Sequence, residues 1–453
     1  MSINKVIKND YCNGCGGCKL YSPDSIDIEF KNTGFYKANI KSNTVFDKSI
    51  SEICPFSDDS IDETTLAKEL FNKSTYRYDE RVGFFSNIYV GNVRNENSRI
   101  TSSSGGLTTF IAKKLLELNE VDAIVHVGFD GVKFNYLISK TSDELDSELK
   151  KKSRYAPVTF DSISNYLINT TDKVALIGVP CFIKSIRLLQ KKHKLINVTY
   201  CISLLCGHMK SAFFGEALSW QIGISPNNLS YVDFRVKKEG YESSNYFIEA
   251  TDKKGNKREG LNSALLGSNW GLGFFRHKSC SHCDDIAGEL SDVTLGDAWL
   301  PEYTKDYLGK NILVVRNEVI ADILENNHDK LTLKEVDVET FFRTQSGNYG
   351  NRRGGIVAIN ERSSEWLPKK RMEICYKYKS NKKKQKVYLY RSKLSEMSIK
   401  KFLMAKKLNS FFVFKILMLP SLLKYRYMTS GFLSAMKYLI PTKFKKIIRV
   451  FKK

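Results

Sequence analysis

Long apolar runs are missing from this sequence. Nowhere in its 453 residues is there the stretch of about 20 apolar residues that a bilayer-spanning helix needs. The opening, Met1 to Asp10, is polar and lacks the apolar centre of a signal peptide, so a cytoplasmic chain is expected. There is no internal repeat, no Walker loop and no catalytic triad. Acidic residues are scarce in one region only. From Lys369 onward there are 25 Lys and Arg against two acids, Glu373 and Glu396, so this tail carries +23 of a net +22. The rest of the chain is close to neutral, at −1. The basicity therefore bears on docking and says little about chemistry.

Ten cysteines are present, at positions 12, 15, 18, 54, 181, 201, 206, 280, 283 and 375. Without a secretory signal they argue against a disulfide framework. Cys12-x-x-Cys15-x-x-Cys18 places three thiolates around one small object, and Gly14, Gly16 and Gly17 let the backbone bend closely about it. This is the ligand pattern of a ferredoxin-type cluster. The position of a further cysteine is taken by Ser22, before Pro23, while Cys54-Pro55 fits the remaining ligand. The reading is one [4Fe–4S] cluster on Cys12, Cys15, Cys18 and Cys54. The alternative is structural zinc, whose knuckles usually come as two Cys-x-x-Cys pairs.

The expected fold class is α/β, with α+β mixing: a ferredoxin-like [4Fe–4S] module, a large α/β body and a helical basic tail. The boundaries read as 1–60 for the module, 61–85 for a helical charged connector, 86–366 for the body and 367–453 for the tail. Val121–Phe129, Lys173–Val179 and Asn311–Arg316 suit strands, and Leu107–Leu118 and Ile183–Lys191 repeat apolar residues at helical spacing.

Cys280-x-x-Cys283 alone is a weak signal. Gly178-Val179-Pro180-Cys181 ends a predicted strand and opens a helix, and Cys206-Gly207 follows the apolar run Val198–Leu205. Strand ends are where α/β proteins build sites. Cys181, Cys206, Cys280 and Cys283 could thus converge on a second cluster, although any one of them alone would suit core burial. Ser102-Ser103-Ser104-Gly105-Gly106 precedes the helix at Leu107 and reads either as an anion cradle or as a plain N-cap. Lys152-Ser153-Arg154-Tyr155 could lie on a phosphate or a ring system, or be a solvated basic loop.

From Arg99 to about Arg316 the chain resembles the coenzyme F-420 hydrogenase/dehydrogenase beta-subunit family, which includes the 7-hydroxymethyl chlorophyll a and ferredoxin-dependent divinyl chlorophyllide reductases. The matching stretches are Arg99 with Ser102–Gly106, Ser153-Arg154-Tyr155, Gly178-Val179-Pro180-Cys181, Cys206-Gly207, and Cys280-x-x-Cys283 followed by Gly296-Asp297. The resemblance implies FAD near the Ser/Gly turn and its neighbours. It also implies a [4Fe–4S] cluster on the scattered cysteines, with Asp297 a site candidate. Two departures are visible. The amino-terminal module keeps one cluster, and His208 stands where relatives often repeat glycine.

The expected function is an iron–sulfur flavoprotein oxidoreductase. Ferredoxin, another low-potential donor or coenzyme F-420 would supply the electrons, and an organic substrate would be reduced. Relatives of this type are associated with cell-surface polysaccharide synthesis. A non-catalytic electron-transfer subunit is the alternative, and nucleic-acid binding through zinc and the basic tail is a third reading that lacks a recognition motif. A homo-oligomer is expected, with no specific nucleic acid. Among the histidines, His208 and His282 neighbour the suggested ligands. Cys201 and Cys375 are left over as free thiols. Leu394–Leu408 and Pro441–Phe451 mix Lys with apolar residues, which suits helices lying on an anionic inner membrane face; a helical bundle packed on the body is the other reading.

Overall fold

The computed structural model describes residues 2–41, 47–146 and 152–439. Its centre is an eight-stranded sheet whose middle strands are near-continuous apolar runs, as strands buried on both faces must be. Fifteen strands are numbered here in chain order. The sheet order is β15 (Leu331–Glu335), β5 (Asn87–Val93), β14 (Asn311–Val315), β13 (Val293–Asp297), β9 (Val198–Leu204), β8 (Val174–Gly178), β6 (Ala123–Phe129) and β7 (Phe134–Ser139). The pairs β6–β8, β8–β9 and β9–β13 are parallel, and the flanking pairs are antiparallel.

Alternation along β8 shows how the faces are filled. Val174 and Leu176 pack with the helix Pro180–Lys191 through Ile183, Ile186 and Leu189. Ala175 and Ile177 pack on the opposite side, with Leu107, Ile111 and Leu115 of the helix Leu107–Glu117. β10 (Leu229–Val236), β11 (Phe247–Asp252) and β12 (Lys257–Leu261) form a separate antiparallel sheet.

The amino-terminal segment has the hairpin β1 (Ile26–Phe30)–β2 (Tyr36–Ile40) and the short helices Ser2–Lys8, Gly17–Tyr21 and Ser49–Ile53. It is docked on the body. Leu20 and Ile53 share a core with Phe160 and Phe182, and Phe160 N donates to Cys15 O at 2.8 Å.

The stretch 61–85 differs from the expected helical connector. Only Glu63–Phe71 is helical, and Leu66, Ala67 and Phe71 are buried in that same core. The remainder is a hairpin, β3 (Arg77–Asp79) with β4 (Gly83–Phe85), whose cross-strand Tyr78–Phe84 ring pair is 5.0 Å apart. Aromatic cross-strand pairing favours the hairpin there.

The basic segment read from residue 367 as an amphipathic helical tail is tied to the body at its start. Trp366 Nε1 and Lys369 N both donate to the Asp58 carboxylate, each at 2.8 Å. Arg371, with only 3% of its side chain exposed, meets Asp284 at 2.8 Å and Glu289 at 2.7 Å, and lies 3.7 Å from Glu63. The helices Lys382–Lys407 and Phe411–Ser430 then pack on the body. Leu394, Phe402, Phe414 and Met418 are buried against Phe213, Phe275 and their neighbours. The packed-bundle reading thus describes their inner faces, while Pro441–Phe451 lies outside the described residues. No described helix is long and apolar enough to cross a membrane.

Replacing Arg371 by Met would leave buried Asp284 with only Lys370 at 3.9 Å and Glu289 with only Arg353 at 3.5 Å as cationic partners. The expected loss is about 3–5 kcal/mol of stability, read as a lowered midpoint in urea unfolding.

Candidate functional site

Parallel strands end together, and the space beyond their carboxyl ends is the favoured site in an open α/β sheet. Here that space is a cavity of about 270 Å³. The ends of β8 (Gly178), β9 (through Cys206 and His208) and β13 (Asp297) line it, as do Ser102, Ser103, Ser104 and Gly106 before the Leu107 helix. Ser153, Arg154 and Tyr155 line it too, joined by Trp270 and Lys210.

Three of the suggested residues, Arg99, Gly105 and Pro180, are not in the lining. Arg99 points elsewhere, donating to Asp306 at 2.6 Å and to Gly309 O at 2.8 Å. Gly105 is required by packing: a Cβ there would sit 2.7 Å from Gly91 O and 2.9 Å from Asn311 Oδ1. The glycine fits the loop onto β5 and β14 rather than opening room for a ligand. Pro180 occupies the first turn of its helix, just behind Gly178.

The serines are largely committed. Ser102 Oγ donates to Ser98 O at 2.6 Å and Ser104 Oγ to Lys310 O at 3.0 Å, while Ser103 Oγ accepts from Ser153 N at 2.6 Å. Asn311 Oδ1 accepts from Leu107 N at 3.2 Å. Thr108 and Thr109 of the helix's first turn line the cavity.

One row of charges escaped the sequence reading. On β10 and just past it, across an irregularity between Asp233 and Val236, stand Asp233, Arg235 and Lys237. Asp233 pairs with Lys152, and Arg235 holds Asp297 at 2.7 Å. Lys237 Nζ donates to the carbonyls of Arg99, Ser104 and Leu308 at 2.6, 2.9 and 2.7 Å. Burial, followed by the charge of Arg235, lowers the Lys237 pKa to about 6. The legible signal was the alternation of charge with Phe234 and Val236 inside a strand.

His208 is buried and lies over the Trp270 ring at 4.5 Å, and its Nε2 has no hydrogen-bond partner. Burial first, then Lys210, Arg276 and Arg352, keeps this imidazole well below its usual pKa. Lys210 donates to Phe274 O at 2.7 Å and stands over Phe214 and Trp270, and burial lowers its pKa as well.

The thiols gather in two sets beside this cavity. Cys12, Cys15, Cys18 and Cys54 surround a small enclosed cavity of their own, with Ile3, Val6 and Ile53 on its walls. Gly14 at φ 69° makes the turn between two of them, where a Cβ would be 2.3 Å from Tyr36 O. Cys12 Sγ accepts from Ala38 N at 3.3 Å. Burial pushes the Cys15 thiol up to about 11.

In the second set, burial raises the Cys181 thiol well above its usual range, with Cys283, Cys206 and Cys280 adding to the effect. Arg352 ties the set together through its bonds to Cys206 O at 2.5 Å and Cys283 O at 2.9 Å. Cys280 Sγ accepts from Met209 N at 3.2 Å. The sets touch, for Cys12, Cys18, Cys54, Cys181 and Cys283 share one apolar cluster with Trp366 and Leu367. Lys370 lies between them, 4.9 Å over the Phe56 ring and 3.9 Å from Asp284, with 5% of its side chain exposed.

Cys201 and Cys375 are fully buried elsewhere. All ten thiols are free. Among the described residues no three His, Cys, Asp or Glu converge on the position of a single metal ion. His282 donates nothing to either set and meets Asn360 Nδ2 at 3.4 Å.

Two family models match the chain. Residues 88–164 match "Coenzyme F420 hydrogenase/dehydrogenase, beta subunit N-term", and residues 171–340 match its C-terminus counterpart. A coenzyme F420-dependent sulfite reductase of Methanocaldococcus jannaschii is 23% identical over 334 residues, which is 70% of this chain but 46% of that protein. This chain therefore spans less than half of that relative. A subunit of the F(420)H(2) dehydrogenase of Methanosarcina mazei is 22% identical over 346 residues, 74% of this chain and 87% of the other. A chain of the F420-reducing [NiFe] hydrogenase complex from Methanosarcina barkeri aligns with TM-score 0.46 and 15% identity, covering 63% of this chain and 95% of that one.

Replacing Lys237 by Met would strip three buried carbonyls of their donor. The expected cost is about 2–4 kcal/mol, seen in urea unfolding, with the loop 99–106 becoming the first segment to exchange its amide hydrogens.

Proposed function

This chain belongs to the coenzyme F420 hydrogenase/dehydrogenase beta-subunit family, and from that premise we propose that it is an iron–sulfur flavoprotein oxidoreductase. In this reading Cys12, Cys15, Cys18 and Cys54 hold one [4Fe–4S] cluster within a module of residues 1–60. Cys181, Cys206, Cys280 and Cys283 hold the second. The cavity in the body, 86–366, holds FAD, with Ser103, Gly106, Ser153, Arg154 and Thr108 toward its phosphates. Clusters supply single electrons and a flavin joins them into pairs for hydride chemistry.

One observation carries the reading: the two thiol sets and the cavity are continuous. Cys181 and Cys283 pack with the first set, and Cys206 is both a member of the second set and part of the cavity wall. The donor chemistry also fits. Four thiols line one enclosed space, yet among the described residues no three of them converge on the position of a single ion, which suits a cluster better than zinc with its four ligands at about 2.3 Å.

The chain's own groups have definable tasks. Arg352 and Lys370 supply positive charge beside thiolates that burial alone would disfavour. Trp270 and Tyr155, with ring centroids 5.0 Å apart, give the cavity an aromatic wall that Phe214 backs. Neutral His208, with its free Nε2, can hold or give one proton at the cavity wall. The electron donor is reduced coenzyme F-420 or a ferredoxin, and the names of the relatives favour the first. A second reading, an electron-transfer subunit within a larger complex, draws support from the relative named as a subunit of a dehydrogenase.

Anaerobically purified protein is expected to contain about eight iron, eight acid-labile sulfide and one flavin per chain. Zinc in place of iron would overturn the cluster assignment. Cys15→Ala should halve the iron and keep the flavin. Lys370→Met should move the midpoint potentials of both clusters to more negative values in a titration followed by electron paramagnetic resonance, because a nearby positive charge has gone. Ser103→Trp, whose side chain would enter the cavity, should abolish flavin binding without removing iron. Reduction of an acceptor only in the presence of a co-purifying subunit would select the second reading.

A further inference from the structure

The carboxy-terminal helices have an inner face that the body buries and an outer face with a different composition. On the helix Phe411–Ser430, Phe414, Met418 and Leu422 are buried. The opposite side carries Phe412, 67% exposed, Ile416, 52%, and Tyr427, 60%. Their spacing of three or four residues, or multiples of it, puts them in one stripe with Leu423. The stripe continues at both ends. Met404 and Leu408 close the preceding helix at 51% and 65% exposed, and Phe432 and Leu433 open the next at 64% and 75%.

Cations border this stripe. Lys415 and Arg426 lie on one side and Lys424 on the other, and Lys400 and Lys407 are exposed beside Met404. Across the two helices Lys382–Lys407 and Phe411–Ser430 the sole acid is Glu396. The sequence after Leu439 adds six Lys and Arg and no acid.

We propose that this face docks flat on an anionic phospholipid bilayer. An apolar stripe flanked on both sides by long cationic side chains matches the depth profile of a leaflet: rings and branched chains enter the acyl boundary, and ammonium groups rise to the headgroup phosphates. A second copy of the chain would bring cation against cation across the same face. No described helix is long and apolar enough to cross a membrane. The proposal is independent of the redox reading.

The test must spare the inner face. A truncation near Lys384 would remove Leu394, Phe402 and Phe414 from the core and prove nothing. The full chain is therefore sedimented with phosphatidylglycerol-containing vesicles and with phosphatidylcholine vesicles, at low and at high salt. Two double variants accompany it, Phe412→Ser with Ile416→Ser and Lys415→Gln with Lys424→Gln, each checked for an unchanged melting midpoint.

The expected result is binding to the anionic vesicles alone, weakened by salt and lost in the apolar variant. The charge variant should partition roughly twenty-fold more weakly, about fivefold per cation. Three results would overturn the proposal: no binding by the full chain, equal binding to both lipids, or a dimer that the Phe412→Ser/Ile416→Ser pair dissociates. Should one variant melt early, the other still decides between these outcomes.

Discussion

A guanidinium sealed from water holds the molecule's most demanding region in place. Arg371 meets Asp284, one residue beyond Cys283, together with Glu289, and it approaches Glu63, nine residues beyond Cys54. It also donates to Thr64 at 2.9 Å. Three segments distant in sequence are thereby registered beside the thiols. Lys184 and Arg353 complete the network through Glu63 and Glu289. Such pairs add little net stability compared with apolar packing, but they tolerate few alternative arrangements. An apolar plug could cover the thiols equally well and leave their loops free to slide.

The cavity depends on a similar device. Its floor is the sheet, which needs no help, but its walls are loops. β10 reaches across with Asp233, Arg235 and Lys237 and fastens a loop residue or strand end with each. Polar groups that would otherwise face an apolar space are satisfied by these three side chains, as buried carbonyls and carboxylates must be. One buried atom of that wall left without a hydrogen-bond partner is His208 Nε2.

Much of this was legible. Runs such as Lys173–Val179 and Val198–Leu205 announce buried strands because no charge interrupts them after Lys173, and cysteines at strand ends stand out against that background. The spacing of Cys12, Cys15 and Cys18 is equally plain, for adjacent thiols have no ordinary core use. What stayed hidden was non-local. Lys370 and Arg371 are the second and third of 25 cations that begin at Lys369, and only the return of the chain to Asp58 shows that these two side chains are buried while Lys369 is exposed. Gly105 looked like room for a ligand, yet its missing side chain serves Gly91 and Asn311, residues 14 and 206 positions away. The hairpin at 77–85 was concealed by its charged surroundings.

One contact between the module and the body has a kinetic meaning. Gly17 rests on Ser185 so closely that a Cβ would lie 1.7 Å from its hydroxyl oxygen. Ser185 stands one turn along the helix that Cys181 opens, a rise of about 6 Å. The interval between Cys181 and the first thiol set is thus spanned by one turn of helix and one close packing contact. Centres carried by these thiols would exchange electrons at a rate indifferent to solvent viscosity and to any swinging of domains. Control over the flow of electrons would then have to come from driving force alone.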